Sequence, residues 1–213
     1  MKNIFASFIA AIFFVVPSLA QPSQLSAQDE IIYVRLETSK GNIDIALNKT
    51  KAPTSVENFL TYTKEGYYNG MVFHRVVPGV LIQSGGYNKY LFGRPKHDAI
   101  ESEADNGLKN LRGTIAMARQ SDPHSAHSQF FINLIDNTHL DFRNKILPKN
   151  WGYTVFGEVV GGMDVADAIG AVEIIEKDQF EEFPKEMILL NSVSVIQKDD
   201  IAKADQGHKN EEW

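Results

Sequence analysis

Arg75 and Gln83 lie in one apolar stretch, Phe73-His74-Arg75-Val76-Val77-Pro78-Gly79-Val80-Leu81-Ile82-Gln83-Ser84-Gly85-Gly86. An arginine offers a charge that persists at any working pH and a planar fork of donors, and a glutamine can hydrogen-bond a peptide backbone. Pro78-Gly79 is a turn signal between two β-type runs, so the runs should pair. Side chains alternate along a strand. Arg75 therefore points away from the side taken by His74, Gln83 away from the side taken by Ile82, and Arg75 and Gln83 can share a face. On spacing alone two readings stand side by side: a site, or an arginine at a wet edge with a glutamine that serves backbone groups.

Other chemistries find less support. The chain has no cysteine, which excludes disulfides, thiol nucleophiles, zinc-thiolate sites and iron-sulfur clusters. His124 and His127 could be imagined as metal ligands, but no carboxylate or third histidine stands at a matching spacing, and no metal site is expected. The net charge of -6 and pI near 5.5 argue against a polyanion-binding surface, so nucleic acid is not an expected partner.

The elements that must position these residues can be read from periodicity. Ile31 to Leu36 and Asn42 to Leu47 are rich in β-branched residues and flank Ser39-Lys40-Gly41, so a β-hairpin is expected. Thr54 with Glu57 has the form of a capping box, and Val56, Phe59, Leu60 and Thr63 follow at helical spacing. Further strands are expected at Val72 to Val76, Val80 to Ser84, Thr114 to Ala118, Phe130 to Leu134, Thr154 to Val160 and Ile188 to Ile196, with a short helix at Met163 to Ile169. Many short strands suggest a barrel, which removes exposed sheet edges. Two long polar connections, Tyr87 to Arg112 and Asp141 to Gly152, are expected to carry function.

The chain of 213 residues, 43% of them hydrophobic, sets an expectation of one domain. Its first twenty residues differ from the rest: Lys2, then an apolar run from Ile4 to Val16, then Pro17-Ser18-Leu19-Ala20. This is the pattern of a secretory signal peptide, and roughly 13 apolar residues fall short of the ~20 that span a bilayer. Cleavage is expected after Ala20, with Leu25-Ser26-Ala27 as a second candidate. The expected division is a signal peptide at 1–20, an extension at 21–30, one domain at 31–197, and a charged mobile tail at 198–213. No membrane association is expected after cleavage.

Gly113-Thr114-Ile115-Ala116-Met117-Ala118-Arg119 and Ser128-Gln129-Phe130-Phe131-Ile132-Asn133 supply the missing context for Arg75. With these segments the chain resembles the cyclophilins. Ala52-Pro53 with Glu57-Asn58-Phe59, Glu103 to Leu108, and Val155-Phe156-Gly157 extend the match over nearly the whole sequence after the signal segment. The central loop and the Glu103 segment look like the bacterial exported branch. The resemblance implies a mainly β fold, a closed eight-stranded antiparallel barrel capped by two α-helices. It also implies peptidyl-prolyl cis/trans isomerase activity without a cofactor on proline-containing unfolded polypeptides, by a periplasmic monomer that assists the folding of exported proteins.

By the same resemblance Arg75 is the catalytic cation and Gln83 its orienting neighbour. Phe131 walls the proline pocket with Leu81 and Leu140 beside it, and Ala118, Arg119 and Gln129 line the groove for residues before the proline. Three positions depart from the commoner family pattern. Val80 replaces a phenylalanine and thins the pocket wall, His139 replaces a large aromatic and implies weak binding of cyclosporin, and Tyr153 replaces a histidine at the pocket border. Val80 and His139 together keep open an alternative, a proline-peptide binding module or chaperone with little turnover.

Overall fold

The computed structural model describes residues 23–201. The expected signal segment and residues 202–213 of the expected tail lie outside the described residues. The tail's first residues, 198–201, form a helical turn, and the Asp200 carbonyl there accepts a 3.4 Å bond from Arg35. At the other end, Ser23 donates to the Glu158 carboxylate, which also takes the Gln24 amide at 3.0 Å. The stretch before the first strand is thus docked on the domain.

The chain opens with β1 (Ile31–Thr38) and β2 (Gly41–Asn48), an antiparallel hairpin closed at Ser39-Lys40. Helix α1 (Pro53–Lys64) follows, then β3 (Met71–Val72), β4 (Arg75–Val77) and β5 (Leu81–Ser84). Next come β6 (Thr114–Met117), β7 (Phe130–Asn133), β8 (Val155–Gly161), helix α2 (Met163–Gly170), β9 (Ile174–Lys177), β10 (Phe180–Pro184) and β11 (Leu189–Ile196). The main sheet has the order β3-β11-β1-β2-β8-β6-β7-β5-β4, antiparallel throughout. Its two edge segments, β3 and β4, are separated in the chain only by Phe73 and His74. They are two halves of one interrupted strand, the first paired to β11 and the second to β5. Taken as one strand, they give the curled sheet the eight members expected, and the chain itself joins its edges.

The inward faces carry the main core, with Val34, Leu36, Ile43 and Ile45 from the first hairpin and Phe130 and Phe156 from later strands, all fully buried. Helix α1 contributes Val56, Phe59 and Leu60 to this core, and α2 contributes Ala166 and Ile169. Phe59 meets the edge of Phe130 at 5.5 Å, the geometry in which aromatic quadrupoles attract. Asp44, on the other face of β2, is buried as well because its cross-strand partner Arg35 grips it with two bonds of 2.7 and 2.8 Å.

The expected capping box does not form. Helix α1 starts one residue before Thr54, with Pro53 in its first turn and Ala52 at the N-cap, a position that suits proline because it has no amide to satisfy. The free amides of Thr54 and Ser55 are capped by Glu103 from the long loop, at 2.9 and 2.8 Å. A carboxylate there also favours the helix dipole, and it ties the Tyr87 to Arg112 connection to the body of the fold.

The β9–β10 hairpin was not among the expected strands. Its alternation is broken by a bulge: Phe180 pairs with Lys177, and Phe183 with Ile175. Regular alternation would send Phe180 and Phe183 to opposite sides. With the extra residue both enter a small separate cluster with Val72, bordered by Tyr87 and Leu91. Among the described residues no helix is long and apolar enough to cross a membrane.

Candidate active site

Pairing registers place Arg75 opposite Gln83, Gln83 opposite Phe131, and Phe131 opposite Ala116. One row across β4, β5, β7 and β6 therefore carries the cation, the amide and the aromatic ring side by side on the sheet's outer face. Phe130 and Ile82 point the other way, into the main core. Adjacent strand residues alternate, so Phe131 takes the outer face where Phe130 takes the core.

Phe131, Leu81, Ala116 and Val155 form an apolar cluster outside the main core, flanked by Val80, Ala118, Leu140 and Tyr153. Tyr153 meets Phe131 edge-on at 5.5 Å. Leu140 ends a 3-10 turn, Thr138–Leu140, on which His139 is exposed, and the Leu140 carbonyl accepts the Tyr153 amide at 2.9 Å. The cluster lies along the same row of paired strands as the Arg75 cation, and its flank of Val80, Ala118, Leu140 and Tyr153 is only partly buried.

Arg119 spends its guanidinium on backbone. It donates to the carbonyls of Gly152 at 2.8 Å, Gln120 at 2.8 Å and Pro148 at 3.1 Å, and stacks over Tyr153 at 4.8 Å. It thus clamps the Asp141 to Gly152 loop as well as bordering the shallow recess lined by Gln83, Ala118, Gln120 and Gln129. Gly152 makes the clamp feasible: its φ is +65°, and a Cβ there would stand 2.4 Å from the Leu140 carbonyl oxygen.

Gln83 does not hold Arg75. Its amide donates to Gln129 Oε1 at 2.8 Å, while Arg75 Nε donates to the carboxylate of Glu182 at 2.7 Å. A charged acceptor outcompetes a neutral amide for a guanidinium, and β10 packs beside β4 to supply one. Gly86 lets Gln129 approach, since a Cβ at that position would lie 2.8 Å from the Gln129 side-chain amide.

His74 is buried between Tyr87 and Phe180, with ring separations of 4.9 and 6.0 Å. Its Nδ1 has no hydrogen-bond partner. Burial pulls its pKa down to about 4, so the ring is neutral at physiological pH. His124 and His127 diverge: the first faces the Glu101 carboxylate at 2.6 Å and the second the His97 carbonyl at 2.9 Å. Among the described residues no group of three or more metal-ligating side chains gathers.

Sequence reasoning missed Glu182 and a buried asparagine relay. Asn133 donates to Asn110 at 3.2 Å and Thr114 at 2.9 Å and accepts from Asn137 at 2.8 Å. Asn137 also donates to the Val80 carbonyl at 3.1 Å, so the relay holds the turn that carries the pocket wall. Asparagines next to strand signals, as in Phe131-Ile132-Asn133, were the available clue, because a polar group in such a position must find a partner.

A family model described as cyclophilin type peptidyl-prolyl cis-trans isomerase matches residues 33–195. Peptidyl-prolyl cis-trans isomerase A of Dickeya dadantii is 44% identical over 92% of this chain and 99% of its own length. Isomerase B of Escherichia coli is 47% identical over 76% of this chain and 98% of its own length. A crystal structure of a cyclophilin type isomerase from Cryptosporidium parvum superposes with a TM-score of 0.64, at 24% identity, over 79% of this chain and 99% of that one, a likeness of fold. The match to the family model and the identity to full-length bacterial relatives place this chain in the cyclophilin-type peptidyl-prolyl cis-trans isomerase family.

Proposed function

We infer that the protein is a peptidyl-prolyl cis/trans isomerase acting on proline-containing polypeptides. The observation that carries the mechanism is the row of Arg75, Gln83 and Phe131 across paired strands, with the apolar cluster at one end and the guanidinium at the other. The imide bond resists rotation with a barrier of about 18–20 kcal/mol, because the nitrogen lone pair is shared with the carbonyl. As the bond twists, that lone pair localises on nitrogen. A donor cation beside it stabilises the twisted form more than the planar one, and only such a difference accelerates the reaction.

In this reading Phe131, Leu81, Leu140 and Tyr153 hold the proline ring, with Val80 as a thinner edge. Arg75 donates to the twisted imide. Gln83 and Gln129, joined to each other, bind the backbone before the proline, and Ala118 and Arg119 shape the groove there. No bond is broken, so neither nucleophile nor metal is required. The exposed His139 in place of a large aromatic makes cyclosporin a weak ligand. Every group invoked comes from one chain, so a monomer would suffice for the activity. The signal-like segment supports export to the periplasm and clients among exported proteins folding there.

Exchange spectroscopy on an Ala-Pro peptide tests the mechanism. The mature protein should accelerate exchange, and Arg75→Ala should lose about 10²-fold in turnover, the scale of removing one transition-state donor, with an unchanged circular dichroism spectrum. Equal turnover in Arg75→Ala would refute the role of Arg75. Peptide binding without exchange in the wild type would leave a binding module in its place.

A further inference from the structure

Glu182 reaches Arg75 through a built arrangement. Phe180 and Phe183 anchor β10 in the cluster with Val72, and the bulge between them takes Glu181 and Glu182 out of regular alternation. Bulges of this kind re-aim side chains. The hairpin turns at Asp178-Gln179, with Asp178 at φ +52°, a conformation that aspartate tolerates. Its base is tied by Lys185, which bonds the Glu173 carbonyl through its amide at 2.8 Å and the Glu173 carboxylate through Nζ at 2.9 Å. Lys177 lies over the Phe183 ring at 5.1 Å.

The contact is made to Nε only. The terminal nitrogens of Arg75 have no hydrogen-bond partner among the described residues. Arg75 is 44% exposed and Glu182 30%, so as a plain surface ion pair the contact would contribute little to stability. Its geometry suits a different task. A guanidinium on a flexible stem samples many rotamers, whereas one held at Nε keeps its plane fixed and both terminal nitrogens available. Gln83, the neighbour expected in that role, is committed to Gln129.

We propose that Glu182 is a positioning residue for Arg75, holding the guanidinium by Nε so that its terminal nitrogens are preorganised for the twisted imide. The proposal rests on the catalytic role of Arg75 argued above. Holding the plane before substrate arrives removes ordering that would otherwise accompany the transition state. The carboxylate also partly offsets the positive charge, so the two effects oppose each other. Positioning prevails because a guanidinium held at Nε has already given up much of its rotamer freedom before substrate arrives.

The test compares wild type, Glu182→Ala, Glu182→Gln, Arg75→Ala and the Arg75→Ala/Glu182→Ala double variant by peptide exchange spectroscopy and thermal melting. Glu182→Ala should lower kcat/KM by about tenfold through kcat, because the interaction is made in the transition state. Glu182→Gln retains an oxygen that accepts from Nε and should recover most of that loss. In the Arg75→Ala background, Glu182→Ala should have no further effect. The Arg75 Nε–H resonance should be sharp and protected in wild type and Glu182→Gln, and broadened in Glu182→Ala. A Glu182→Ala rate equal to or above wild type would overturn the proposal, as would a loss that persists without Arg75. Where Glu182→Ala fails to fold, Glu182→Met, which keeps the stem and removes the acceptor, takes its place: a wild-type rate with a sharp Nε–H resonance there would overturn the proposal. An unimpaired Arg75→Ala would instead remove the underlying reading of Arg75.

Discussion

Lowering the pH from 7.5 to 5 should destabilise the native protein by about 2 kcal/mol through His74 alone. The ring is 4% exposed and packs against Tyr87 and Phe180, and burial lowers its pKa from 6.5 to about 4. Below pH 6.5 the unfolded chain therefore binds a proton that the native state refuses until about pH 4. The associated stability is complete above pH 6.5, declines as pH falls, and by pH 4 has been reduced by most of its total, roughly 3 kcal/mol at about 1.4 kcal/mol per unit. Asp29 and Asp105 have pKa values held below 3.8, by a backbone bond at Ser26 and by Lys145 respectively. Their losses belong to lower pH. Urea unfolding of wild type and His74→Gln at pH 7.5 and 5 isolates the histidine, since the comparison reads the change with pH and not the absolute stability of the variant. Wild type should lose about 2 kcal/mol more than His74→Gln over this interval. An identical loss in the two proteins would refute the argument that burial keeps His74 neutral.

Asn133→Ala leaves the buried Asn110 oxygen and part of Asn137 without partners and should destabilise by about 2–3 kcal/mol, read as a lower denaturation midpoint; a change under about 0.5 kcal/mol would show that the relay is slack. Val80→Phe adds an aromatic beside Leu81 and Phe131 and should change turnover within about tenfold, from at most about 1–2 kcal/mol of extra burial, whereas rescue of an inert wild type would favour the binding module. Mass spectrometry of fractionated cells should find the mature chain beginning near Gln21 in the periplasm, and an intact Met1 to Ala20 segment in the membrane fraction would contradict export.

What the sequence determined by itself is whatever depends on local periodicity and on long ordered motifs. The first hairpin, the strands around Leu81, Ile115, Phe131 and Phe156, the helix after Pro53 and the family itself were legible there. So was the outward face of Phe131, because adjacent strand residues alternate and Phe130 fits the core. Tertiary structure alone decided which polar side chains meet. Glu103 caps a helix from a distant loop, replacing the expected Thr54–Glu57 box, because a free helix amide donates to any carboxylate that the fold brings near. Gln83 turned to Gln129 and Arg75 to Glu182 for the same reason: hydrogen-bond partners are selected by proximity and charge across strands far apart in the chain. The hairpin that delivers Glu182 escaped periodicity because a bulge breaks its alternation, and that irregularity is what places both phenylalanines inward and the carboxylate beside Arg75.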